Sequence, residues 1–419
     1  MRQVRRYFSE LADYARQYAM KKYGRKQLVS GNFYNMQPAY YPVENKVDIV
    51  ITEMEHTMFR QPYYYRYCAG FASGKPVIIA ENPYGGIVPR LLELLDRGKG
   101  HDLYRIFLLE ASMYGCNMSV PYGCWMGNTI KDAFWAPRSV TASVQDFLAA
   151  HEECYPRTKS RGAAVLYSYG SYYWRDSSKG SGANGMQDVY EAVMDATAAE
   201  WLDPDLKPVP FWDTVRALSG INAQYDVVML PDGDFRPDDT PADLLDGYPL
   251  VVVPDCPILT GNQQQILLDY AKRGGKILVT GSLAEGTALA EELNETGNAV
   301  FVPVNGNKAQ DVPRFMAAFE PLYAGCAPLE CRMEKIGVQR YDNNGKTWIH
   351  VLNYRYDDLS DRVLPIEKLE MTVRDVDGKQ MQILVPDGET VPTYGIRGED
   401  GMTKVTLYGA GLYTVIAFG

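Results

Sequence analysis

The stretch Lys75-Pro-Val-Ile-Ile-Ala-Glu81-Asn-Pro-Tyr-Gly-Gly86 decides how the rest of the chain is read. Val77 to Ala80 is an unbroken apolar run, closed by a carboxylate and then by turn residues. Continuous rather than alternating apolarity marks a parallel strand buried on both faces. Side chains at the C-terminal end of such a strand open into the crevice where α/β folds bind their ligands. Glu81 is therefore delivered to a binding face, where a glycosidase needs its nucleophile. The competing reading is a glutamate that caps the next helix or pairs with an arginine.

Working outward, residues 1–156 alternate helix and strand. Val4, Tyr7, Phe8, Leu11, Tyr14, Ala15 and Tyr18 recur at three- and four-residue spacing, which predicts an amphipathic helix stopped by Gly24. Residues 27–34 and 47–55 read as strands, and 62–73 as a tyrosine-rich helix leading into the Glu81 strand. A helix over 101–114 leads into a strand ending near Tyr122 and Trp125, and a helix over 139–154 closes the segment. Four strand–helix units predict parallel strands with right-handed crossovers. That arrangement sets Asn32, Glu53, Glu55, Glu81, Tyr122 and Trp125 at one rim.

Residues 157–325 repeat the rhythm, with strands at 162–167, 225–230, 248–254 and 276–280 and helices at 211–219 and 263–272. This is a second, doubly wound unit. Its Cys256 follows a strand, but Asp255 and Pro257 deny it the small neighbours that a nucleophile elbow needs, so it reads as structural. Residues 173–185 are polar and glycine-rich and read as a mobile surface excursion. From 326 to 419 the texture changes to short alternating runs. Asn344-Gly345 is a hairpin signal, repeated by Asp377-Gly378, Asp387-Gly388 and Asp400-Gly401, so an antiparallel β-sandwich is expected. The fold class is thus α/β: about four β/α units of barrel type, a flavodoxin-like unit, then a small sandwich.

Composition narrows the chemistry. A net charge of −10 argues against a nucleic-acid partner. No run of 18 apolar residues suggests a membrane span and no secretory signal is read at the N-terminus, so a cytoplasmic protein is expected. The 7 cysteines show no zinc spacing and the 4 histidines are dispersed, so no metal site is expected. Neither a GxGxxG nor a Walker A sequence occurs, and no cofactor is expected. The 31 tyrosines suit sugar rings, and suit ordinary packing equally.

Several ordered motifs resemble family 42 β-galactosidases and their relatives. They are Asn32-Phe33 at a strand end, Lys75-Pro76 through Glu81, Gly115-Cys-Asn-Met-Ser-Val-Pro-Tyr122, and Ile349-His350-Val-Leu-Asn353-Tyr354. The resemblance covers nearly the whole chain and implies the C-terminal part of a (β/α)8 barrel, an amidotransferase-like trimerisation domain and a β-sandwich. It also implies that Glu81 is the nucleophile of a retaining glycosidase acting on β-linked sugars. Such hydrolysis needs a second carboxyl group about 5–5.5 Å away. In the family that group follows an asparagine at the end of barrel strand four, a unit that residues 1–26 do not supply. Glu53 or Glu55, on the strand preceding Glu81, is the candidate acid/base or a sugar ligand. Asn32, Tyr34, His56, Tyr84, Tyr122 and Trp125 are the candidate substrate contacts. The expected partners are a carbohydrate and further copies of the chain, as a trimer by resemblance or a dimer that completes the barrel. The alternative function is a non-catalytic sugar-binding or structural half-barrel, or a fragment of a longer glycosidase.

Overall fold

The computed structural model describes residues 2–33, 40–54, 60–81, 91, 93–95, 97–119, 138–172, 211–305, 307–376, 380–399 and 401–419. Its first sheet is β1 (Ser30–Asn32), β2 (Ile49–Met54), β3 (Val77–Glu81) and β4 (Asn117–Met118), all parallel and in sequence order. Helices α1 (Arg2–Tyr23), α2 (Tyr41–Glu44) and α3 (Pro62–Phe71) alternate with these strands, followed by the helices His101–Met113 and Arg138–Ala150. Sequential parallel order is the arrangement of a barrel, here a partial one.

Pleating explains how the sheet is covered. Val50, Thr52, Val77, Ile79 and Met118 alternate along their strands and are buried. They pack beneath the helices, where the Thr52 hydroxyl lies 3.2 Å from the Tyr64 hydroxyl of α3. The intervening Ile49, Ile51, Ile78 and Ala80 are only half-buried. Burial of β3 on both faces, as its apolar run suggests, is therefore realised on one face. Among the described residues the sheet has four strands, too few to wrap round on itself, and its other face carries no packed layer of a closed barrel. Helix α1 departs from expectation in the same way. Its contacts run through Ala12 and Ala19, while Val4, Tyr7, Leu11, Tyr14 and Tyr18 are 44–69% exposed.

The second sheet holds β5 (Ala163–Ser168), β6 (Tyr225–Leu230), β7 (Leu250–Cys256), β8 (Lys276–Leu283) and β9 (Ala299–Val302). All are parallel, in the order β6-β5-β7-β8-β9. This is the flavodoxin-like order, with one strand more than the sequence pattern disclosed. Thr260 and Gln263 form a reciprocal capping box at the start of the helix Gly261–Lys272. The proposed mobile excursion at 173–185 lies outside the described residues.

The last unit stacks two antiparallel sheets. One contains β10 (Leu329–Glu330), β15 (Leu369–Arg374), β18 (Met402–Tyr408) and β17 (Thr393–Glu399); the other β11 (Ile336–Asn343), β12 (Lys346–Asn353), β19 (Tyr413–Phe418) and β16 (Met381–Leu384). Asn344 and Gly345 join β11 to β12 with φ of 50° and 78°, as a type I′ turn requires. Asp387-Gly388 makes no hairpin, because β16 and β17 belong to different sheets. Asp377-Gly378 lies outside the described residues. No helix among the described residues is long and apolar enough to cross a membrane.

One buried cluster runs through all three units, from Phe33 and Tyr67 by way of Tyr167 and Trp212 to Tyr341 and Tyr413. Helix α3 packs tightly on β6, where a β-carbon added at Gly70 would lie 2.3 Å from the Val227 carbonyl oxygen. Gly70→Ala gains roughly 1 kcal/mol of helix propensity and meets backbone that cannot turn aside. The expected net result is a loss of about 1–3 kcal/mol, read as a lower midpoint in urea unfolding.

Candidate active site

The candidate rim is the C-terminal edge of the first sheet. Asn32 is level with Ile51, Ile78 and Asn117 and is exposed. Strands β2 and β3 run further and end in Met54 and Glu81. The structure therefore places Asn32, Glu53 and Glu81 on three neighbouring parallel strands, at the same end. Within the β2–β3 register Glu53 stands beside Ala80, and Met54 beside Glu81. Strand spacing and rise put the Glu53 and Glu81 backbones about 6 Å apart. Glu81's direct register neighbour on β2 is thus a methionine. Tyr34, Glu55, His56, Tyr84, Tyr122 and Trp125 lie outside the described residues.

Glu110 is a further carboxylate that the sequence reading passed over. It interrupts the apolar run Ile106 to Met113 and is almost fully buried. The Gln61 backbone N–H donates to its Oε1 at 2.8 Å, and the Tyr354 hydroxyl donates to the same atom at 2.7 Å. Burial pushes its pKa up to about 7, against the opposing pull of those donors. Gln61 begins the return into α3 after β2, so Glu110 ties that connection to the sandwich. It is enclosed by protein and acts as a positioning group.

Beneath the sheet, at the start of β3, the Lys75 ammonium donates to the side chain and backbone carbonyl of Glu44. Arg236 donates to the other Glu44 oxygen at 2.7 Å. Glu44 is fully buried between them. The competing reading of Glu81 as an arginine partner or helix cap has no described contact to test it.

Cys256 is buried, and its thiol faces the Pro254 carbonyl at 3.7 Å. Among the described residues, His151, Glu153 and Cys154 bring metal-ligand-type atoms within 4.8 Å of one another. Burial pushes the Cys154 thiol up to about 12.

No family model and no curated protein matches the sequence. Solved structures do match the fold. An α-L-fucosidase isoenzyme 2 from Paenibacillus thiaminolyticus superposes with a TM-score of 0.62 at 12% identity, over 99% of this chain and 71% of that one. A β-galactosidase from Rahnella sp. R3 gives 0.55 at 14% identity, over 99% and 67%. A family 42 β-galactosidase from G. stearothermophilus gives 0.53 at 9% identity, over 94% and 64%. The fold is that of the family 42 β-galactosidases: a partial barrel, a parallel α/β sheet and a β-sandwich. The chain spans about two thirds of the length of these neighbours.

Glu110 gives this architecture a pH signature. Its folded pKa of about 7 stands above the ordinary 4.5, so between those values the folded state holds a proton that the unfolded chain has lost. Stability contributed by the neutral acid is complete below the lower value and is lost as pH rises through the higher one. Stability should fall by on the order of 1–3 kcal/mol across that window. Urea unfolding of Glu110→Gln should show the fall removed, whatever constant offset the variant carries.

Proposed function

We propose that this chain is a retaining glycosidase of the β-galactosidase type, with Glu81 as nucleophile and a β-linked sugar as substrate. The observation that carries this reading is the place of Glu81: last residue of an interior parallel strand, at the ligand-binding edge of a sheet whose fold matches glycoside hydrolases. The Glu81 carboxylate attacks the anomeric carbon and displaces the aglycone oxygen, which takes a proton from a second carboxyl group. Water then attacks the resulting glycosyl ester and returns Glu81 as a carboxylate. Asn32, at the neighbouring strand end, is assigned to a sugar hydroxyl. Tyr34, His56, Tyr84, Tyr122 and Trp125 keep their assignment as substrate contacts. For the proton donor the candidates remain Glu53 and Glu55. The register lends them no direct support, because Met54 takes the place beside Glu81.

The test is covalent trapping with 2-fluoro glycosides that carry a dinitrophenol leaving group, which needs little protonation. β-D-galactosyl and α-L-fucosyl probes are both included, since solved neighbours are named for both activities. Peptide mass spectrometry should find the ester on Glu81 and none on Glu81→Gln. A folded protein that no probe labels favours a second reading, a sugar-binding half-barrel without hydrolysis. The half-buried inner face of the sheet is the observation on that side.

The assembly belongs to the same proposal. β1 ends the described sheet, and α1, which leads into it, turns an apolar stripe outward. A second copy related by a two-fold axis along the barrel would pair β4 of one chain with β1 of the other and keep every strand parallel. Native mass spectrometry should show a dimer that Leu11→Glu with Tyr14→Glu separates into monomers. A trimer that survives those changes would point instead to assembly through the second unit, as in the resembling family, and a monomer at every concentration would remove both.

A further inference from the structure

At the end of the first sheet away from Glu81, a cavity of about 410 Å³ opens where the three units meet. Lys75 and Gly115, which precede β3 and β4, lie on one side of it. Val227 and Met229 of β6 form a second side, and Gln339 and Tyr341 of β11 a third. The volume falls in the range of small-molecule sites.

The charge around this cavity is the reverse of the chain's. Arg66, Arg157 and Lys159 all line it, in a protein of net charge −10. Arg66 is 6% exposed, and a guanidinium so enclosed is ordinarily paired with a carboxylate. Among the described residues Arg66 touches none. It donates to the Tyr225 and Ala223 carbonyls and to Gln339, and lies over the Tyr114 and Tyr225 rings at 5.0 Å and 4.5 Å. Its Nε is buried without a partner, as is the Thr158 hydroxyl in the same lining. Arg157 is exposed, and Lys159 donates to the Leu244 carbonyl at 3.1 Å and lies 5.4 Å from the Tyr248 ring centroid. Asp226 is the acid of the lining, and its Oδ2 is already taken by the Ser160 N–H at 2.6 Å and the Tyr248 hydroxyl at 2.8 Å. Burial pushes the Asp226 pKa up, against the opposing pull of Tyr248, Ser160, Arg66 and Lys159.

We infer that this cavity binds a small organic oxyanion, its acid group held by Arg66, Arg157 and Lys159 and its apolar body lying against Val227, Met229 and Tyr341. Guanidinium groups suit carboxylate and phosphate alike, and an oxyanion here would bring a counter-charge into direct contact with Arg66 and add to that of Asp226. Because the walls come from all three units, the ligand also ties them together, and binding raises the unfolding temperature by mass action. The site stands apart from the sugar rim and does not depend on Glu81.

Isothermal calorimetry and thermal unfolding of the full chain test this with benzoate, phenyl phosphate and neutral benzyl alcohol. At least one of the two anions should bind with Kd below about 1 mM and raise Tm, and the tighter of them identifies the acid group. The double variant Arg157→Ala/Lys159→Ala removes exposed side chains and should fold as the parent does. It should bind that anion at least about tenfold more weakly, and added salt should weaken the parent's binding. The idea is overturned if neither anion binds at about 10 mM, if benzyl alcohol binds equally well, or if the double variant binds unchanged.

Discussion

Glu44 is the residue on which the placement of the other parts depends. It ends α2 with no exposure, held by Lys75 at the foot of β3 and by Arg236 from the connection that follows β6. Removing a carboxylate from water costs several kcal/mol, an expense offset only when both counter-charges arrive in good geometry. Arg236 is fixed in turn: its guanidinium lies 4.1 Å from the Tyr41 ring centroid, and Asp232 accepts hydrogen bonds from the Phe235 and Arg236 backbone N–H groups. The first and second sheets therefore share one buried charge cluster. β3 is five residues long, so a lock at Lys75 also sets where its far end, Glu81, emerges.

The sandwich performs the same service from the other side. His350 is wholly buried, and desolvation brings its pKa down to about 4, so the ring is neutral. Its Nε2 faces the Cys154 carbonyl at 2.8 Å, which only accepts, so Nε2 carries the hydrogen and Nδ1 accepts from Tyr413. The Tyr341 hydroxyl donates to the Met113 carbonyl, and Tyr354 reaches Glu110. The Ile349–Tyr354 motif is thus a docking strand: its polar residues join the sandwich to the partial barrel. Shared aromatic packing adds to this, with Tyr67 of α3 against Tyr167, Phe211 and Trp212. A four-stranded parallel sheet without closure is held by what lies beneath and beside it.

What could be read in the sequence follows the range of the forces involved. The β3 strand and its terminal Glu81 were legible because continuous apolarity is a local signal, and Asn344-Gly345 because a two-residue turn needs left-handed backbone at both positions. The Asp387-Gly388 signal misled, since a dipeptide states that the chain turns and not which sheet it turns into. The partnerships of Glu44, Arg66 and Glu110 were illegible. Glu44 and Arg236 stand 192 residues apart, and Arg66 and Gln339 stand 273 apart. The outward stripe of α1 was legible as a stripe only; periodicity reveals an apolar face without saying what covers it.

That last point bears on the chemistry. A retaining glycosidase needs its second carboxyl group about 5–5.5 Å from the first. Within the sheet, register gives Glu81 a methionine as its β2 neighbour, and β4 offers Asn117 and Met118. Glu53, one step down β2, is the described candidate, beside the connections above the rim and a surface brought up to the β1 edge of the described sheet. In the dimer proposed above, the surface that covers Tyr7, Leu11 and Tyr14 of α1, the helix that leads into β1, is also the one brought to that edge.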